Sequence, residues 1–202
     1  SAYARYNEGK VLSIDEMKKK IIDITDLTQF MEAQNGNLVD IFYDPKRKVN
    51  TEALEKYTSD NLFNSLVKDQ DDENGILLFQ KIVNAYEGFV TFMNDKYEII
   101  DYTYLWDLIC EPNEALFKNG LNLIILSVPE KDSTSDVEMI CPTNHYTNVP
   151  FDVNRECLII YKSGKYYEPL YVVEHGKEYN VTRLFKFEKP TENKDDEPQK
   201  AK

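Results

Sequence analysis

The chain has 202 residues, 42 % hydrophobic and 30 % charged, long enough to bury a core and balanced like a soluble globular domain. A formal net charge of −12 argues against a generic nucleic-acid surface, because neutralising phosphates requires clustered Lys and Arg. Three cysteines without CxxC spacing argue against a disulfide framework or a structural zinc site and fit a reducing compartment. There is also no apolar run of membrane-spanning length and no signal-peptide pattern.

In chain order, residues 1–12 show no clear period. Ser13-Ile14-Asp15-Glu16 is a capping box, in which hydroxyl and carboxylate satisfy each other's free N–H groups, so a helix is expected to about Ile22. Asp26 caps a second helix through Gln34, and Asn35-Gly36-Asn37 stops it. Leu38 to Tyr43 reads as strand or helix, and Pro45 ends it. Residues 51–57 and 60–68 read as two helices, the second capped by Ser59 or Asp60. The acidic run Asp69 to Gly75 is a solvated loop whose spacing does not fit a calcium loop. Ile76 to about Asn94 is the longest predicted helix, with apolar residues recurring at three and four. Tyr102 to Cys110 is another, and Pro112 allows a short helical turn to Phe117.

From Leu121 the pattern changes to strands: Leu121–Leu126, Val137–Cys141, the two arms of a hairpin over Cys157–Val173, and residues 178–187. The hairpin is the expected centre of the fold. Ser163-Gly164 is its turn signal, and Pro169, lacking an N–H, places its second arm at a sheet edge or a bulge. From Glu188 the composition is Glu, Lys, Pro, Asp and Gln, so residues 189–202 are expected to be a disordered tail. Helices followed by strands argue an α+β fold: N-terminal helices packed on a mostly antiparallel sheet of about five strands, in a single domain over residues 1–188.

Catalytic chemistry is sparse. The chain has two histidines, so any imidazole-dependent mechanism uses His145 or His175. Cys141-Pro142-Thr143-Asn144-His145 places a thiol near a base, the pairing that makes a thiolate at neutral pH, although a strand-end cysteine also reads simply as core. Cys110 and Cys157 lie in apolar runs and read as core. No HExxH, GxGxxG or P-loop spacing is present, and neither a cofactor nor a metal site is expected. A nuclease would want a strand-borne Glu-x-Lys, and Glu156 is followed by Cys157-Leu158 instead. Tyr161, Tyr166, Tyr167 and Tyr171, with Glu168, form either a recognition face or, by alternation, a half-inward set.

Gly164-Lys165-Tyr166-Tyr167-Glu168-Pro169-Leu170 resembles the late His-Tyr-Glu-Pro-Leu segment of the ovarian-tumour (OTU) class of papain-like cysteine proteases, which cleave ubiquitin chains. Tyr166 stands where that family has its catalytic His. The nearest echo of the family's Asp-Gly-Asn-Cys nucleophile motif is Ser59-Asp60-Asn61-Leu62-Phe63, with Leu62 in the place of Cys. The resemblance implies an OTU-like fold without OTU activity, since a phenol with a pKa near 10 cannot replace imidazole as a base.

A second set of segments is similar to an uncharacterised region in long proteins of nucleocytoplasmic large DNA viruses. They are Gln34–Val39, Tyr104–Asp107, Gly120–Leu123, Cys141-Pro142 and Tyr167–Tyr171. Abundant Asn, Lys, Ile and Tyr suit such AT-rich genomes. The chain begins Ser1-Ala2 rather than with Met, as a piece of a longer protein would.

These resemblances imply a non-catalytic protein-interaction module of a larger viral protein, in host cytoplasm or virion interior. Its contacts would run through Tyr166, Tyr167, Glu168 and Tyr171, and its partner would be ubiquitin or another viral protein. The alternative is a cysteine protease or deubiquitinase using Cys141 with His145, or a nucleophile upstream of Ser1.

Overall fold

The computed structural model describes residues 3, 9–49, 51–69, 71–128, 136–141, 147, 149–175 and 179–187. Helix α1 (Ile14–Ile24) opens with the capping box: the Glu16 N–H donates to Ser13 Oγ at 3.2 Å and the Ser13 N–H donates to Glu16 Oε2 at 2.8 Å. Helix α2 (Leu27–Glu32) starts at Asp26, whose Oδ1 accepts the Gln29 N–H at 2.8 Å. It stops short of the expected Gln34, because the chain then turns through three left-handed residues, Gln34 (φ 53°), Asn35 (φ 58°) and Gly36 (φ 86°). Gly takes that conformation freely and Asn tolerates it, whereas Gln costs about 1–2 kcal/mol there.

The ambiguous stretch is helical, as α3 (Asn37–Phe42), with Leu38 and Val39 buried. Helices α4 (Thr51–Tyr57) and α5 (Asn61–Leu66) follow, the latter capped by Asp60. Helix α6 (Glu73–Asn94) starts earlier than the apolar period implies, because Asp72 accepts the Gly75 N–H at 3.0 Å. Its buried stripe includes Phe79, Ile82, Val83, Tyr86, Phe89 and Met93. Around it Phe30 meets Tyr86 edge-on at 5.4 Å and Phe42 meets Phe89 edge-on at 5.4 Å, the geometry that aromatic quadrupoles favour. Helix α7 (Tyr102–Cys110) is capped by Asp101 and has the predicted bounds. Residues 112–117 form turns, not the expected short helix.

Strands β1 (Asn122–Val128), β2 (Glu138–Ile140), β3 (Cys157–Ser163) and β4 (Tyr166–Pro169) form one sheet in the order β2-β1-β3-β4. The fold is α+β as expected, but the sheet is mixed: β1 and β3 pair in parallel, while β1–β2 and β3–β4 are antiparallel. The hairpin's second arm ends at Pro169, which pairs with Ile160 and has no N–H with which to extend the ladder. The chain then forms a separate antiparallel ribbon from β5 (Val172–His175) and β6 (Tyr179–Thr182). The expected last strand thus contributes β6 and, beyond it, a single bridge: the Cys157 N–H donates to the Phe185 carbonyl at 2.7 Å. The hairpin turn is Gly164-Lys165, one residue later than expected, because Ser163 still pairs with Tyr166 and Gly164 takes the positive φ of 55°. The expected tail, 189–202, lies outside the described residues.

Register assigns two faces to the sheet. Leu123, Ile125, Leu158 and Ile160 share the face that packs with Trp106 and Cys110 of α7. Ile124, Leu126, Ile159 and Tyr161 share the other, where all four are half-buried.

Gly88, in the middle of α6, sits where a Cβ would stand 2.8 Å from the Phe42 carbonyl oxygen and collide with the Arg47 guanidinium. An exposed helix would gain about 1 kcal/mol from Gly→Ala. Here the clash outweighs that gain, and Gly88→Ala is expected to lower stability by about 1–3 kcal/mol in urea unfolding.

Candidate functional site

Strand alternation divides the tyrosines of the hairpin. Tyr166 points outward at 77 % exposure, Glu168 shares its side of the strand and is also exposed, and Tyr171 beyond Pro169 is 59 % exposed. Tyr167 turns inward, and its hydroxyl donates to Asp101 Oδ2 at 3.0 Å, tying β4 to the start of α7. Burial, reinforced by that bond and by the Asp101 charge, pushes the Tyr167 phenol above its ordinary value, so it stays protonated. Of the four hairpin and loop residues expected to form a contact surface, three are exposed and Tyr167 is structural.

Tyr166, which takes the place of the OTU histidine in the sequence resemblance, is therefore a solvent-facing phenol. Leu62, in the echo of the nucleophile motif, is a buried core residue just inside α5. That stretch supplies no thiol.

Cys141 follows β2, is half-buried, and lines a cleft of about 340 Å³. Its sequence partner His145 lies outside the described residues. The backbone of His175 ends β5. The other thiols are inert: burial, with the Asp107 charge adding, pushes Cys110 up to about 12, and burial pushes Cys157 up to about 11. Among the described residues no group of three His, Cys, Asp or Glu is arranged to hold a metal ion.

Several residues of the cleft carry no motif. Gln34 comes from the left-handed turn, Trp106 from α7, Ser127 from β1 and Lys162 from β3. A signal was nonetheless present: Ser127 and Lys162 interrupt otherwise apolar strands. Trp106 is 3 % exposed and its indole Nε1 has no acceptor among the described residues. An unsatisfied buried donor of this kind costs about 1–3 kcal/mol.

Behind the cleft, buried Asp107 accepts the Gln34 N–H at 2.6 Å through Oδ2, and the Thr147 hydroxyl through Oδ1. Glu111 sits one turn along. Burial and then the Asp107 and Glu32 charges, opposed by Arg155, raise its carboxyl above the usual 4.5.

Among the described residues no helix is long and apolar enough to cross a membrane. No known family model and no solved structure matches the chain. Its sequence is similar to that of an uncharacterized protein of Acanthamoeba polyphaga mimivirus, 28 % identical over 172 residues, covering 78 % of this chain and 10 % of that protein. The chain thus spans about a tenth of the length of the relative it matches, and the similarity supports an origin in a nucleocytoplasmic large DNA virus.

Native alkylation at pH 8 with mass mapping is expected to modify Cys141 and to spare Cys110 and Cys157 until the protein is unfolded. For Glu111, a raised folded-state pKa means that the native state holds its proton more tightly than the unfolded state. The resulting penalty is absent below about the ordinary value of 4.5 and sets in as pH rises above it. Glu111→Gln is accordingly expected to stabilise at pH 7 and not at pH 4. The gain is under about 1 kcal/mol because the carboxyl is partly solvated, a Tm rise within about 2–4 °C by thermal unfolding.

Proposed function

We propose that this chain is a non-catalytic, OTU-like protein-interaction module of a larger viral protein. The observation that carries the reading is the sheet face opposite α7. It presents half-buried Ile124, Leu126, Ile159 and Tyr161, and is flanked by Met139 at 62 % exposure and by Tyr166 and Glu168. An apolar centre with an amphipathic tyrosine at its margin is the composition of a protein contact surface, where aromatic anchors bury area at low entropic cost. The order of helices before the sheet, and Tyr166 in the place of a catalytic His, favour an OTU-like scaffold without its nucleophile and base. A partner of the ubiquitin class or another viral protein suits that surface.

A cysteine protease using Cys141 is the second reading, favoured by the half-buried position of that thiol in the cleft wall.

Ubiquitin bearing a cysteine-trapping C-terminus separates the two. The expected result is no adduct on the native protein. An adduct at Cys141 that disappears in His145→Ala would establish the protease instead. For the contact surface, Tyr166→Ala is expected to weaken binding of ubiquitin or of the viral partner at least about tenfold by calorimetry, equivalent to about 1.4 kcal/mol. Unchanged affinity in Tyr166→Ala and in Met139→Asp would remove this face from the proposal.

A further inference from the structure

The register of the sheet places four residues in one row: Ser127 pairs with Glu138 on one side and with Lys162 on the other, and Lys162 pairs with Tyr167. Paired residues share a face, and this is the α7 side. The row lies near the carboxyl ends of β1 and β3, the parallel pair, which is where open sheets with helical cover leave a crevice. The 340 Å³ cleft is found there, between the row, Tyr102 and Trp106 of α7, and Gln34. One register step toward the strand starts, the same face carries Ile125 and Ile160 packed beneath the helix. The switch from Ile to Ser and Lys therefore coincides with the cleft.

The charges in the row form no ion pair among the described residues. Lys162 is half-buried, its ammonium lies 5.9 Å from the Tyr167 ring centroid, and among the described residues it has no carboxylate within ion-pair reach. Glu138 lies two strands away, about 10 Å at the Cα atoms given the usual strand spacing, with Ser127 between them. Trp106 adds a buried indole N–H that lacks an acceptor among the described residues. A cation and a hydroxyl thus line one small cleft walled by Tyr102, Trp106 and Ile140.

We propose that this cleft binds a carboxylate carried on an apolar body, with Lys162 as counter-ion and Ser127 as neutral donor. Tyr102 and Ile140 enclose the apolar part. The carboxylate sits toward Lys162, away from Glu138. Its source is either the C-terminus of an extended chain or a free small acid. Apart from Met139, which borders both, the cleft is on the opposite side of the sheet from the contact face, so Tyr166→Ala tests that face without touching the cleft.

Trp106 is the single tryptophan of the chain, so its fluorescence reports on the cleft directly. The probes are hexanoate, hexanamide, and an apolar tetrapeptide with either a free or an amidated C-terminus. The expected result is a saturable emission change with a carboxylate form and at least tenfold weaker binding of its amide. Lys162→Gln should show the same tenfold loss, and Ser127→Ala a loss of a few fold. Binding of the free-acid peptide but not hexanoate identifies a chain terminus, and binding of hexanoate identifies a small acid. No saturable change with either acid, or equal binding of acid and amide, overturns the proposal. The acid–amide comparison on the unaltered protein decides the matter even where Lys162→Gln fails to fold. A folded Lys162→Gln that binds normally also overturns it.

Discussion

A carboxylate buried among apolar side chains has to find its donors inside the protein, and Asp107 finds them on two distant segments. One oxygen takes the backbone N–H of Gln34 and the other takes the hydroxyl of Thr147. Hydrogen bonds to a charged group contribute about 1.5–3 kcal/mol each, comparable to the cost of holding Gln34 in the left-handed region. The turn between α2 and α3 is therefore fastened to α7 by a bond that neither helix could make alone. Thr147 in turn accepts the Val149 N–H at 2.8 Å, and Val149 belongs to the cluster that packs α7 on β1. One side chain thus joins the helical layer, α7 and the approach to β3. It also fixes Gln34 in the wall of the cleft.

Local chemistry was legible in the sequence wherever a single interaction decides the outcome. The Ser13–Glu16 box and the Asp26 and Asp60 caps each set a helix start by one or two side-chain bonds to nearby N–H groups, and each starts where such residues predict. The stripe on α6 was readable because one helix repeats it over many turns. Pairing between strands was not. Apolar runs at Leu121 and Cys157 announce strands but carry no mark of relative direction, so the parallel β1–β3 pairing emerged only from the fold. The early end of α2 was hidden for a similar reason: Gln34 is a good helix former, and what holds it outside the helix is an aspartate far along the chain.

The candidate sites divide in the same way. Outward Tyr166 and inward Tyr167 follow from the period of two, so the exposed aromatic face could be anticipated from the hairpin. The cleft brings together residues from a turn, a helix and three strands, and no stretch of sequence contains more than a few of them. Cys141 attracted notice because of its neighbour His145 in the sequence, yet its described surroundings are Trp106, Ser127 and Lys162 from elsewhere in the fold.

The parallel pairing also orders assembly in time. Asn122 meets Cys157, and the short strand between them in sequence lies outside the pair rather than within it. Closing so long a loop is slow compared with forming helices whose contacts are local. During synthesis α1 to α7 emerge first and can collapse around Phe30 and Phe89 while β3 is still unmade. The apolar side of α7 then waits, with Trp106 uncovered, until the sheet closes over it. In this molecule the helical half is the template and the sheet is the lid.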